Sequence, residues 1–218
     1  MDRTKTMSEM EKHFTEIYNT NYWNGKQSKS GTGSDLETTN IMRPQLVELI
    51  NSMGFKSMID APCGDFNWMS KIVDKIQVSR YVGMDIVQEM IDNNNREYGN
   101  DARIQFKKID VINEILPKVS LIFSRDCLVH FSYETAKKIL RNFIDSGSDY
   151  VLMTTFQRDD RNYPDILDGQ WRAINFSIKP FCLPEPERII VEGCTEDNYR
   201  WTDKCLALWK LSELKGLV

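Results

Sequence analysis

Three acidic residues of this chain each close a short apolar run. Met58-Ile59 leads into Asp60, Tyr81-Val82-Gly83-Met84 into Asp85, and the run from Ile104 to Ile109 into Asp110. The first run turns at once, in Ile59-Asp60-Ala61-Pro62-Cys63-Gly64-Asp65-Phe66. A glycine turn lets backbone approach a ligand closely. A carboxylate can accept both hydroxyls of a ribose, through charge-assisted bonds worth roughly 1.5–3 kcal/mol each. Strands that deliver acids at their carboxyl edges form the nucleoside crevice of an open α/β sheet. Asp85 stands where the ribose acid belongs. Asp110 can accept from an adenine amino group, and Asp60 can hold an ammonium group, directly or through water. Any one acid at a strand end is equally well a turn or cap residue. Three in register, the first followed by a glycine turn, favour the crevice.

The second chemical signal is a histidine. The chain has two, His13 and His130. His13 lies in the charged N-terminal segment and is expected to be solvated. His130 ends Arg125-Asp126-Cys127-Leu128-Val129-His130, just past the apolar run Leu121–Ser124 and before a helix that Ser132 can cap. That is again the carboxyl edge of the sheet. An imidazole titrates near neutrality and suits a general base. It can equally fix the loop by hydrogen bonds. Asp126 is the competing base, or the group that orients His130. Arg125 either neutralises Asp126 or binds an anionic acceptor.

Helices and strands alternate around these residues. A weak helical pattern covers residues 7–18, and a Gly/Ser/Asn/Thr-rich loop covers 19–39. Apolar spacing predicts helices from about Asn40 to Met53, over Asn67–Ile76, from Gln88 to Tyr98, and after Ser132. Strands are predicted at 57–60, 80–85, 104–109, 121–124, 149–155, 188–192 and 204–211. Residues 156–187 carry Pro164, Pro180, Pro184 and Pro186 and read as irregular. This alternation predicts an α/β fold, a Rossmann-like doubly wound sheet.

Composition narrows the partners. At 218 residues and 41% hydrophobic content, one α/β domain with a short extension is the natural size. A net charge of −4 offers a phosphate backbone little attraction, so no nucleic-acid partner is expected. No apolar run approaches the roughly 18 residues of a membrane span, and residues 1–16 lack an apolar signal core. The five cysteines are odd in number and lack CxxC spacing, so no metal site reads from them. They are expected to be reduced thiols of a cytoplasmic protein. The sequence specifies no oligomeric state.

The chain resembles the class I S-adenosylmethionine-dependent methyltransferases. Their first motif runs acid-x-Gly-x-Gly-x-Gly; here Pro62 stands for the first glycine, Gly64 keeps the second and Phe66 stands for the third. The reduced motif argues against a nicotinamide dinucleotide. Further strings resemble a bacterial subfamily often found among surface-polysaccharide and capsule modification genes. These are Asp60 to Trp68, Arg125 to Ser132, Thr154-Thr155-Phe156, Asp165 to Arg172 and Pro180 to Pro184. The likeness spans about Tyr22 to Leu211.

The resemblance implies S-adenosylmethionine as cofactor and a seven-stranded sheet, mostly parallel, with an antiparallel last strand. It implies a cofactor-covering segment in residues 1–40, ahead of a methyltransferase domain at 41–218. It places cofactor contacts at Trp23, Ser30, Gly31, Thr32, Ser34 and Arg43 of the N-terminal region. Further contacts fall at Asp60, Pro62, Gly64, Trp68, Asp85, Ile86, Asp110, Val111 and Arg125. His130 and Asp126 are the catalytic candidates. The insertion at about 156–187 would bind the acceptor through Arg158, Asn162, Trp171, Arg172 and Asn175, since arginine pairs with phosphate and tryptophan packs on sugar faces. Trp23, Trp68, Trp201 and Trp209 are expected as core or cofactor wall and not as acceptor contacts. The implied reaction is O-methylation of a small polar acceptor, a sugar or a phosphate- or phosphoramidate-type group. Methylation of protein or RNA, or a non-catalytic binding subunit, are the rival readings.

Overall fold

A computed structural model describes residues 7–157 and 162–217. Seven strands form one sheet: β1 (Ser57–Asp60), β2 (Arg80–Asp85), β3 (Ile104–Lys108), β4 (Leu121–Ser124), β5 (Tyr150–Phe156), β6 (Arg188–Val191) and β7 (Lys204–Lys210). Their order is β3-β2-β1-β4-β5-β7-β6. β1 to β5 pair in parallel, and β7 inserts antiparallel between β5 and β6. The expected mostly parallel seven-stranded sheet with an antiparallel last strand is therefore present. The chain leaves β1 toward β3 on one side and returns to β4 on the other. The crevice between the carboxyl ends of β1 and β4 is the topological switch point, where such sheets bind ligands.

The five inner strands are buried on both faces, and alternate residues feed two cores. Ile59, Val82, Ile122, Val151 and Met153 pack with the helix α4 (Tyr133–Asp145), through Ala136, Ile139, Leu140, Phe143 and Ile144. Met58, Tyr81, Leu121, Phe123 and Leu152 face the opposite side, with the helix α2 (Met42–Met53). Deleting one such side chain, as in Leu140→Ala, typically costs about 2–5 kcal/mol. Helix ends follow local chemistry. Ser8 accepts from the Glu11 amide at the start of α1 (Glu9–Thr20), and Ser132 from the Thr135 amide at the start of α4. Gly54 ends α2 at φ +67°. α3 (Gln88–Tyr98) follows β2.

One predicted helix differs. Residues 67–76 form successive turns with a single 3₁₀ turn at Met69–Lys71. Most of their amide bonds reach three residues back, as in Lys71 to Trp68, Ile72 to Met69 and Lys75 to Ile72. Phe66 takes a left-handed φ of +59° and is packed among Tyr81, Tyr98 and Phe106. Trp68, Met69, Ile72, Val73 and Ile76 are all buried, so packing rather than helix propensity shapes the segment. The interval 157–187 is irregular where described; Phe156, expected in it, is the last residue of β5.

Candidate functional site

A deep cleft opens at the switch point. Its floor comes from the carboxyl ends of β1, β2 and β4, with Pro62, Gly64, Asp85, Ile86 and Arg125. Asp110 and Val111, just past β3, line one side. Trp68 lines another, with the Arg125 guanidinium 5.7 Å from its ring. The N-terminal region roofs it. Met10, Phe14, Ile17 and Tyr18 of α1 join Trp23, Lys29, Ser30 and Ser34.

Asp85 is held by backbone amides. One carboxylate oxygen accepts from Gly64 N–H at 3.1 Å and the other from Val87 N–H at 3.1 Å. Burial lifts its pKa to about 6, against the lowering effect of these amides. The carboxylate thus has a fixed direction and spare lone pairs toward the cleft. Asp110 accepts from Ile112 N–H at 3.0 Å and from the Asn113 side-chain amide at 2.8 Å. Gly64 has φ +57°, and a Cβ there would lie 2.4 Å from the Ser30 hydroxyl oxygen. Only glycine lets the roof sit this low. Asp65 fastens the roof further, accepting from the Ser28 hydroxyl and the Lys29 amide, each at 2.8 Å.

His130 stands where this cleft meets a second cavity. The Trp23 indole stacks on its imidazole, with centroids 4.8 Å apart and planes at 26°. Its Nδ1 lies 3.1 Å from the Gln170 carbonyl. A carbonyl only accepts, so Nδ1 carries the proton and Nε2 keeps a lone pair. Desolvation lowers the imidazole pKa to about 4, outweighing the opposing field of Asp126. The ring is neutral through the ordinary pH range.

Asp126 is a different kind of acid. Lys204 Nζ lies 2.7 Å from its carboxylate and Arg125 Nη1 3.1 Å away. Burial alone would raise its pKa, but these two cations hold it well below the usual carboxylate range. Its carboxylate is engaged by both cations, which leaves the Nε2 lone pair of His130 as the freer acceptor. Arg125 also makes a bidentate pair with Glu192, its closest contact at 2.7 Å. Burial works against the charges of Arg125 and Lys204, yet the surrounding carboxylates raise both pKa values. Arg125 is therefore committed to Glu192 and Asp126 and does not present a cation to an acceptor.

The second cavity shares Trp23, Ser30, Asp126 and His130 with the cleft. Gly31, Thr32, Gly33, Phe156, Trp171, Glu196, Asp197, Arg200, Trp201 and Lys204 complete it. The Thr32 hydroxyl donates to Glu196 at 2.7 Å, tying the roof loop to the segment before β7.

Several expected contacts fall elsewhere. Arg43 turns away from the cleft and donates to the Leu36 carbonyl at 3.0 Å, closing the turn before α2. Asp60 lies beneath the cleft floor rather than in it; it is 2% exposed and accepts from the Tyr81 hydroxyl. Burial raises its pKa to about 7. Gly31 and Thr32 line the second cavity, not the cleft. Asn162 pins the insertion to itself, donating to the Asn175 and Lys179 carbonyls at 2.8 Å each. The Asn175 side chain accepts from Ser177 N–H at 3.0 Å, shaping a turn. Arg172 is 3% exposed; it donates to the Phe131 carbonyl at 2.8 Å and lies 4.1 Å over the Tyr133 ring. Of the insertion residues expected to meet an acceptor, Trp171 lines the second cavity. Arg158 lies outside the described residues. Trp201, expected in the core or cofactor wall, faces the second cavity instead.

The sequence reading also missed residues. Glu192 and Lys204 lie 67 and 78 positions from their partners Arg125 and Asp126, beyond any local pattern. The one sequence signal was a charge at the edge of each of two apolar strands. The roof contacts of α1 were hidden by its weak periodicity. Among the described residues no group of three or more His, Cys, Asp or Glu side chains is arranged to hold a metal ion.

No family model matches the chain, and no curated protein matches it in sequence. Solved structures do share the fold. Human N-acetylserotonin methyltransferase, solved in complex with SAM, aligns over 93% of this chain and 60% of its own, with a TM-score of 0.65 and 13% identity. Magnesium protoporphyrin IX methyltransferase from Synechocystis, with bound SAM, aligns over 95% and 99%, with a TM-score of 0.63 and 10% identity. The methyltransferase domain of bacterial CtHen1 aligns over 81% and 100%, at 0.59 and 11%. The chain thus has the Rossmann-like α/β fold found in these methyltransferase structures, and at such low identity the likeness is one of fold.

Proposed function

We propose that this protein is an S-adenosylmethionine-dependent methyltransferase acting on a small polar acceptor, most simply at oxygen. The observation that carries the reading is the junction at His130. On one side lies a roofed cleft with the amide-anchored acid Asp85 on its floor. On the other lies a separate cavity open to an acceptor. The donor set suits the cofactor: Asp85 for the ribose diol, Asp110 for the adenine amino group, and apolar walls from Phe14, Met90 and Val111 between them. The buried Asp60 carries no direct contact in this reading.

When bound, S-adenosylmethionine supplies an electrophilic methyl group. The chain's own residues do the rest. Asp85 and the roof fix the orientation of one reactant, and the second cavity fixes the other. Such alignment can contribute about 7–11 kcal/mol. His130 Nε2 accepts the acceptor hydroxyl's proton, while the Gln170 carbonyl holds Nδ1–H and Trp23 fixes the plane of the ring. Asp126 stays ionised and favours the imidazolium that forms. A base of this kind adds roughly 10²–10⁴-fold.

The acceptor's setting follows from the sequence resemblance: surface-polysaccharide or capsule synthesis, with a sugar or a phosphate- or phosphoramidate-type group methylated in the cytoplasm. Calorimetry with S-adenosylmethionine tests the first half of the reading. A panel of activated sugars and phosphorylated metabolites, followed by S-adenosylhomocysteine release, tests the second. Binding of the cofactor and turnover with one panel member are the expected results; failure to bind the cofactor overturns the reading.

A further inference from the structure

The second cavity selects among acceptor classes by two properties. Its walls are aromatic. Trp171 and Trp201 meet edge to face with centroids 4.8 Å apart, and Phe156 packs against them at 6.1 and 5.7 Å. Trp171 nonetheless remains 42% exposed, so the cluster keeps ring surface for another molecule.

Among the described residues its charges, by contrast, pair with one another. Lys204 is 2.7 Å from Asp126 and 3.6 Å from Glu196. Arg200 is 3.5 Å from Asp197. An anionic group seated beside His130 must draw the buried Lys204 from Asp126, and it would do so next to three carboxylates, Asp126, Glu196 and Asp197. Removing one partner from the buried pair leaves an uncompensated charge, which is strongly unfavourable. An ammonium group would have to share Asp126 and Glu196 with Lys204, which already lies 2.7 and 3.6 Å from them.

A neutral polyol meets neither. Its C–H faces pack on indole rings, and its hydroxyls donate to carboxylate oxygens, which have lone pairs to spare while their ion pairs persist. We infer, building on the methyltransferase reading, that the second cavity takes the reacting part of the acceptor as an uncharged polyhydroxy ring. That ring is a pyranoside packed against Trp171 and Trp201, with one hydroxyl toward His130. Of the two acceptor types proposed above, the described residues favour the sugar and disfavour the phosphate-derived group.

The test uses the full chain saturated with S-adenosylhomocysteine, whose binding is first established by calorimetry. Tryptophan fluorescence then follows titration with the methyl pyranosides of glucose, galactose and mannose. The matching 6-phosphates and 2-amino sugars are titrated in parallel. At least one neutral glycoside is expected to saturate, with its charged counterparts weaker by roughly tenfold or more. Trp201→Ala should abolish that saturation, and Trp171→Phe, which keeps a ring, should retain most of it, both with unchanged S-adenosylhomocysteine affinity. Equal or tighter binding of the phosphates or amino sugars overturns the inference. So does a protein that binds S-adenosylhomocysteine and none of the glycosides. If S-adenosylhomocysteine itself fails to bind, the cofactor reading falls, and the same titration on the unliganded protein still decides what the aromatic cavity accepts.

Discussion

Trp23 stacks on His130, 4.8 Å between ring centroids, although 107 residues separate them in the chain. The roof over the cleft and the proposed base are thus one packed unit. The Gln170 carbonyl completes it from the insertion, fixing the tautomer at Nδ1.

That arrangement predicts a pH profile. His130 acts when neutral, and desolvation lowers its pKa to about 4. The active form is present above that value and is lost as pH falls through it. Turnover should stay flat from pH 6 to 8 and decline only toward pH 4. His130→Gln should reduce kcat by about 10²–10⁴-fold with cofactor affinity little changed. An unchanged rate in the variant would remove His130 as base; a bend near 6.5 that the variant loses would keep the base and overturn its desolvation.

Asp85→Asn tests the cofactor grip. The amide oxygen can still accept one of the bonds from Gly64 and Val87, so the fold should hold with a modest loss of stability. A charge-assisted bond to each ribose hydroxyl would be weakened, and affinity should fall at least tenfold, about 1.4 kcal/mol. Titration calorimetry with S-adenosylhomocysteine measures it. Near-native affinity would rule out the ribose role.

Lys204→Met should be costly in stability. It strips the cation from Asp126, at 2.7 Å, and from Glu196, leaving acids behind the strand edge. Breaking a buried pair by removing one partner typically costs about 3–5 kcal/mol. Arg200→Ala, which breaks an exposed pair, should cost less than about 1 kcal/mol. Urea unfolding of both variants makes the comparison; equal effects would contradict the assignment of a buried ion cluster.

Asp60 predicts a stability slope. Burial raises its folded pKa to about 7, above the unfolded value of 3.8. Between those values the folded state holds the extra proton, so this group's contribution is present at low pH and lost as pH rises from about 4 to 7. Asp60→Asn keeps an acceptor for the Tyr81 hydroxyl and removes the titration. The variant should gain on the native protein as pH rises from 5 to 8, by up to roughly 2–4 kcal/mol. Parallel denaturation curves at pH 5, 6.5 and 8 show whether the gap widens.

The strands were legible because their signal is local. Each is a short apolar run, and in β1 and β2 an acid closes it at the sheet's carboxyl edge. Asp85, Asp110, Gly64 and His130 could therefore be placed by counting along the chain. Asp60 shares the same pattern, yet the pleat turned it downward to Tyr81, and a strand-end position alone does not say which face a side chain takes. Arg172 and Asn162 carry side chains suited to an acceptor, but the insertion consumed them in supporting its own backbone.

What sequence alone determined is the succession of strands and helices along the chain, since apolar period and turn residues act over a few positions. What tertiary structure decided is the electrostatic state of the site. Lys204 and Glu192 arrive from β7 and the end of β6 to lock Asp126 and Arg125, and Trp23 comes from the roof to His130. Charge and stacking act through space over a few ångströms, and those distances exist only once the chain has folded.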